Sequence, residues 1–344
     1  MQVTTLMQAV RYLGPMQNFE LKSVAIPMPG RGQVRVKIAA CGVCRTELHL
    51  RDGLLDLGRR DFTVGHEIAG TIDSVGEGVS AERIGQRVVV YYYEGCGACR
   101  SCRDGDEQLC PTPASQPGFT SDGGYAGYIV VRARNCVVLP PEIPLTHAAP
   151  LGCAGSTAVH AGKLARLVPG DWAVIHGFGG VGMATLQYAA ACGARTIAIG
   201  LGAARLQAAR EMGAAAVIDA AATPDVAAEV AAITGEGADA VFDLVGTAAS
   251  MGASAAMLRR RGRLVLIGYT EDQFSIHPVA LIVREIAVLG SVGSTLTDLH
   301  DAVDLVARGL MRPVIDRTMQ LADFADALSA VESQDLTGRI VLTP

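Results

Sequence analysis

Cys96, Cys99, Cys102 and Cys110 fall in one short run with the spacing C-x2-C-x2-C-x7-C. Zinc takes four thiolates tetrahedrally, and two-residue spacers let a tight turn aim neighbouring sulfurs at one point. A site closed in this way has no place for substrate, so the chemistry it implies is structural zinc. Two other chemistries use clustered cysteines. Disulfides need an oxidising compartment, and residues 1–6 (M-Q-V-T-T-L) lack the charged and apolar regions of a secretory signal. Iron–sulfur clusters also take four cysteines, at spacings unlike this one. A zinc lobe alone would suit a nucleic-acid module as well, so the rest of the chain must decide.

Three further motifs make sense only together. C-G-V-C-R-T-E-L-H carries Cys44, Thr46 and His49; V-G-H-E-I-A-G carries His66 and Glu67; P-L-G-C-A-G-S-T carries Cys153 and Thr157. Cys, His and Cys make an open zinc set with a fourth position for water or substrate, and zinc eases deprotonation of an alcohol bound there. Cys41 and Cys136 read instead as small apolar core residues.

H-G-F-G-G-V-G supplies Gly177, Gly179 and Gly182 in G-x-G-x-x-G spacing, with Gly180 and Val181 between them. The motif alone is weak, but here an apolar strand precedes it and an Ala-rich helical stretch follows. That context marks a dinucleotide-binding turn, where free N–H groups at the helix start meet the pyrophosphate. The second strand should end in an acid that takes the ribose hydroxyls. T-I-A-I ends at Gly200 instead, so nothing repels a 2′-phosphate, and Arg205 is the nearby cation that could bind one or lie over the adenosine.

The elements that position these residues fall into two textures. Residues 7–150 read as mostly β, in alternating runs such as Gln33–Ala39, Ala69–Val75 and Arg87–Tyr92 cut by Gly and Pro turns. From about Val168 strands alternate with helices: strands at Trp172–His176, Thr196–Ile199, Ala216–Asp219, Ala240–Val245 and Arg263–Ile267, with helices at Gly182–Cys192 and Ala203–Met212. Such alternation implies βαβ units and a parallel sheet. Helical patterns at Asp298–Ala307 and Ala322–Val331 precede a last strand, Gly338–Leu342. At 344 residues two domains are expected. The net charge of −5 and the lack of a long basic run weigh against nucleic acid or anionic membrane as partner. No run of about 18 apolar residues could span a bilayer. A cytoplasmic enzyme is the expected class.

Taken in order, G-V-C-R-T-E-L-H, G-H-E, the four-cysteine lobe, G-F-G-G-V-G and the terminal G-R-I-V-L resemble the zinc-dependent medium-chain alcohol dehydrogenase family, from about Met7 to Pro344. The resemblance implies an α/β architecture: a GroES-like β-rich catalytic domain over residues 1–154 and 292–344, its zinc lobe at about 94–112, with a Rossmann doubly wound parallel sheet at 155–291. It implies catalytic zinc on Cys44, His66 and Cys153 with Glu67 as an occasional extra ligand, Thr46 passing on the alcohol proton, and His49 as outer base. Arg45 and Arg339 match pyrophosphate positions, Thr157 lies beside the nicotinamide, and Ile267 and Gly268 flank its ribose.

The implied reaction is reversible hydride transfer between a primary or secondary alcohol and NAD(P), giving an aldehyde or ketone, in a cleft between the domains. Two zinc ions per chain, a homodimer or homotetramer, and a modest lean to NADP(H) complete the expectation. Glu47 departs from the family's usual Asp at the residue that supports the zinc-bound His, and Gly200 departs from the usual acid. A polyol or sugar dehydrogenase and a silent nucleotide-binding relative are the rival readings; Tyr91, Tyr92 and Tyr93 read as pocket wall or as a plain strand with one inward ring.

Overall fold

The computed structural model describes residues 5–334 and 336–344. The chain divides into two compact units. The first runs to Cys153 and resumes over Ser294–Ala307 and Pro313–Pro344; the second comprises Ala154–Gly293 with Arg308–Arg312.

In the first unit the organising strand is Gln33–Gly42, whose residues Val34, Val36, Ile38 and Ala40 alternate into the core. It lies in a seven-stranded sheet ordered Ile315–Gln320, Arg339–Thr343, Gln33–Gly42, Glu67–Val75, Arg87–Val90 and Cys136–Val138, with Tyr128–Arg132 also paired to Gln33–Gly42. A smaller sheet joins Glu20–Ala25, Leu6–Tyr12 and Phe62–Thr63. Two pairings matter for function. Gly42 faces Glu67 in antiparallel register, which brings Cys44 and His66, just beyond the paired ends, to one place. Val341 and Leu342 pair with Gly42 and Cys41, so the chain's last strand delivers Arg339 there too.

The mostly-β reading of residues 7–150 misses the short helices Arg100–Asp104 and Leu145–Ala148 and, nearest the site, Arg45–Arg51. Cys44 is its N-cap, and Glu47 reaches back to the cap backbone in a capping box that starts the helix directly off the strand end. Arg87–Val90 ends before the tyrosines, so residues 91–93 leave the sheet, and all three rings are buried.

The second unit is a six-stranded parallel sheet ordered Ala216–Asp219, Arg195–Gly200, Trp172–His176, Ala238–Asp243, Leu258–Leu266 and Ala287–Gly290. Helices cover both faces. Val174, Ile197, Ile199, Val241 and Leu264 pack on one side, while Ala173, Phe242 and Val265 meet Ala161, Ala165 and Ala189 on the other. Strand order reverses about Trp172–His176, which leaves a crevice at the carboxyl ends of the central strands. Ala238–Asp243 stops two residues short of the sequence reading because the Asp243 carboxylate accepts the Val245 and Gly246 N–H groups at 3.0 and 2.8 Å and turns the backbone out of the sheet. Among the described residues no helix is long and apolar enough to cross a membrane.

Candidate active site

Four donor atoms converge inside the first unit. The ligating atoms of Cys44, His66, Glu67 and Cys153 all lie within 4.8 Å of one another, and all four residues are buried. Cys44 and His66 come from the paired strand ends. Cys153 follows the short 3-10 turn Ala149–Gly152, which packs on the same sheet. A Cβ on Gly152 would sit 3.2 Å from the Val90 carbonyl, so the small residue lets the turn press close enough for Cys153 to reach the cluster.

Glu47 organises two of these donors. Its Oε1 is 2.9 Å from His66 Nδ1, and its Oε2 accepts the Cys44 N–H at 2.9 Å. The Glu–Asp difference noted in the sequence thus has a structural use: the longer side chain spans both contacts. With Nδ1 turned to the carboxylate, Nε2 faces the thiols. The aromatic rings of Tyr92 and Phe119 pack on His66 at centroid distances of 5.1 and 4.7 Å. Phe119 was not legible as a site residue, since nothing in P-G-F-T-S-D marks it.

The electrostatics of the cluster show a place for a cation. Its hydrogen bond to Cys153 holds the Cys44 thiol well below its ordinary range against burial, with Arg339 and His66 assisting. That same bond, with burial, pushes Cys153 well up. Burial pushes Glu67 up to about 8 although Arg339 opposes it. Burial disfavours charge on His66, yet Glu47 and the Cys44 sulfur outweigh it and carry the imidazole up to about 10. Burial thus moves the Cys153 thiol and the Glu67 carboxyl toward their protonated forms. A divalent ion would replace those protons, and the donor set of two sulfurs and a nitrogen suits zinc.

Arg339 is buried and forms a 2.8 Å ion pair with Glu67 while donating to the Val43 carbonyl at 3.4 Å. Glu67 in turn fills the space above Gly42, where a Cβ would come within 1.9 Å of its Oε2. Arg45 is exposed and donates to the Val331 carbonyl at 3.2 Å. Thr46 Oγ1 lies 3.4 Å from Cys44 Sγ, and His49 stands three residues on, on the same helix face.

In the four-cysteine lobe the sulfurs of Cys96, Cys99, Cys102 and Cys110 also lie within 4.8 Å of one another. Backbone N–H groups of Cys99 and Cys102 point at Cys96 Sγ and Cys99 Sγ from 3.3 and 3.4 Å, which draws the side chains inward. Those of Ala98 and Cys99 lower the Cys96 thiol to about 6. None of the nine cysteines is paired in a disulfide.

The Gly-rich turn sits at the carboxyl end of Trp172–His176. Gly177 takes φ +102°, and a Cβ on Gly182 would lie 2.3 Å from the Gly177 carbonyl, so neither position accepts a side chain. Gly179 caps the helix Gly180–Ala191, which contains Val181. Thr157 is buried on Ala154–Ala165. The Ile267 and Gly268 N–H groups donate to the Asp243 carbonyl at 2.9 and 3.0 Å. Gly200 ends its strand beside Asp219 in register, followed by half-exposed Leu201, and Arg205 lies on Ala203–Glu211.

Comparison with known proteins agrees with this geometry. Residues 30–141 match the alcohol dehydrogenase GroES-like domain and residues 180–308 the zinc-binding dehydrogenase domain. An NAD-dependent alcohol dehydrogenase of Sulfurisphaera tokodaii is 34% identical over 98% of this chain and 100% of its own length. The chain belongs to the zinc-binding alcohol dehydrogenase family. An alcohol dehydrogenase of Geobacillus stearothermophilus is 32% identical over 94% of this family member and 95% of its own length. The crystal structure of the alcohol dehydrogenase from Aeropyrum pernix superposes with a TM-score of 0.91 at 33% identity, covering 98% of this chain and 100% of that one.

Proposed function

We propose that this dehydrogenase interconverts a primary or secondary alcohol with its aldehyde or ketone, exchanging hydride with a nicotinamide cofactor. The buried convergence of Cys44, His66 and Cys153, with Glu47 behind His66, carries the reading. Those three residues would hold one zinc ion, with Glu67 in reach, and the four cysteines of the lobe a second. The first zinc, when bound, would polarise the substrate oxygen and ease loss of its proton. Thr46 stands beside that position to take the proton, and His49, a turn further along the helix, receives it toward solvent. Glu47 keeps the imidazole of His66 oriented, and Arg339 offsets the charge of Glu67.

The second unit binds the dinucleotide. Gly177, Gly179 and Gly182 clear room for the pyrophosphate at the start of Gly180–Ala191. The name of the S. tokodaii relative speaks for NAD(H). Gly200 offers no carboxylate against a 2′-phosphate, and Arg205 is near enough in sequence to meet one. Both cofactors are therefore used, with a modest lean to NADP(H). Assembly as a homodimer or homotetramer belongs to the same reading. A steady-state panel of primary, secondary, benzylic and polyol alcohols with each cofactor tests it: turnover of simple alcohols supports it, turnover of polyols alone redirects it, and turnover of none overturns it.

A further inference from the structure

A buried polar chain lies beneath the Gly-rich turn. His176 ends the central strand and immediately precedes Gly177. Its Nδ1 is 2.9 Å from Ser254 Oγ, and that hydroxyl donates to Asp243 Oδ2 at 2.8 Å. A serine has one hydroxyl hydrogen, and here the carboxylate receives it, so His176 must supply the hydrogen of the first bond. The imidazole is thereby held with Nδ1 protonated. Burial lowers the His176 pKa, with Asp243 opposing, so the ring is neutral at ordinary pH.

Asp243 is the hub. It is fully buried and pairs with His176 in register on the adjacent strand. Its Oδ1 accepts from Val245 N, Gly246 N and Ser250 Oγ at 3.0, 2.8 and 3.2 Å. Its carbonyl accepts from Ile267 and Gly268. One residue therefore ties together the chain ends after three neighbouring strands. These turns have no slack: a Cβ on Gly268 would lie 2.3 Å from Leu244 C, and one on Gly246 would lie 2.4 Å from Gly268 C.

We infer that His176, Ser254 and Asp243 are positioning residues for the cofactor, a hydrogen-bonded chain that holds the Gly-rich turn and the turns after Asp243 and Leu266 at the separation a dinucleotide requires. The inference rests on the reading of the second unit as the dinucleotide site. His176, Ser254 and Asp243 all belong to the second unit, which that reading gives to the cofactor, so their loss falls on cofactor affinity before it falls on chemistry.

The test is fluorescence titration of NADH and NADPH on the zinc-loaded full-length protein, for wild type, His176→Leu, His176→Asn and Ser254→Ala, alongside steady-state kcat. His176→Leu and Ser254→Ala are expected to raise Kd about tenfold, the effect of one lost hydrogen bond that strands a buried partner. His176→Asn, whose amide N–H can replace the Nδ1 donor, should bind within about threefold of wild type. In the two deficient variants Kd should rise by a larger factor than kcat falls. A folded Ser254→Ala protein with the wild-type Kd overturns the inference, as does an Asn variant no better than Leu. Should His176→Leu fail to fold, Ser254→Ala, which removes a single oxygen, decides alone. A wild type that binds neither dinucleotide overturns the functional reading itself, whereas wild-type binding with unchanged variants overturns only the positioning chain.

Discussion

Glu47 holds His66 by one oxygen, at 2.9 Å from Nδ1, while its other oxygen accepts the N–H of Cys44 at the same distance. The carboxylate that caps the helix is thus also the one that braces His66. The two prospective ligands cannot shift independently, because each is referenced to a side chain that is itself buried at the first turn of Arg45–Arg51.

Glu47→Gln retains the shape and removes the charge that orients His66. Zinc affinity at the Cys44 centre should fall by about 10- to 100-fold, as it does when a carboxylate behind a ligating His is lost. Competition with a graded chelator measures it. Glu47→Asp, one methylene shorter, should keep at most one of the two contacts and lose about 1 kcal/mol of stability with the cap. An Asp variant as stable and as zinc-tight as wild type would show that the double contact is incidental.

Metal analysis of protein purified without chelator should find two zinc ions per chain. Cys44→Ala should lose one of them together with turnover and keep most of its thermal stability. Cys99→Ala should instead lose more than about 2 kcal/mol of unfolding free energy, because a structural site's binding energy is folding energy. Finding a single zinc in the wild type would remove one of the two assignments.

The relay predicts graded losses and a pH signature. Thr46→Ala should nearly abolish turnover, and His49→Gln should cost on the order of tenfold near neutrality because water partly replaces an outer base. Burial lowers the His49 pKa from its ordinary 6.5, with the Cys44 sulfur opposing. A depressed pKa keeps the imidazole neutral, and so able to accept a proton, further into acid. The acid limb of kcat for alcohol oxidation should therefore lie below pH 6.5 in the wild type and vanish in His49→Gln. Identical rates and profiles in the two proteins would exclude His49 from proton transfer.

Gly200→Asp should move kcat/KM toward NAD(H) by adding a carboxylate that binds ribose hydroxyls and repels a 2′-phosphate. The structure adds a cost that the strand pattern hides. A Cβ at position 200 would lie 3.0 Å from Phe178 Cβ, so the Gly-rich turn must give by a few tenths of an ångström. Gly200→Ala carries that strain without the charge and isolates it. Preference should change in the Asp variant alone; an equal change in both would assign it to the displaced turn. A wild type that strongly prefers NAD(H) would mean another group holds the ribose.

By itself the sequence determined the features whose parts are neighbours along the chain. The lobe cysteines are separated by two or seven residues, so a local turn suffices to gather them, and the Gly-rich turn advertises itself because strand, turn and helix are consecutive. The grouping of Cys44, His66 and Cys153 was expected only through ordered motifs resembling a family. What assembles it is the strand register that sets Gly42 against Glu67 and the return of the last strand to Gly42. Tertiary structure alone decided which buried groups meet. It set Phe119 against His66, turned Tyr91, Tyr92 and Tyr93 off the sheet and into the core, paired Arg339 with Glu67, and linked His176 to Asp243 through Ser254. None of these pairs has a spacing signature, because strand register and the packing of loops on the sheets join residues across the fold rather than by distance along the chain.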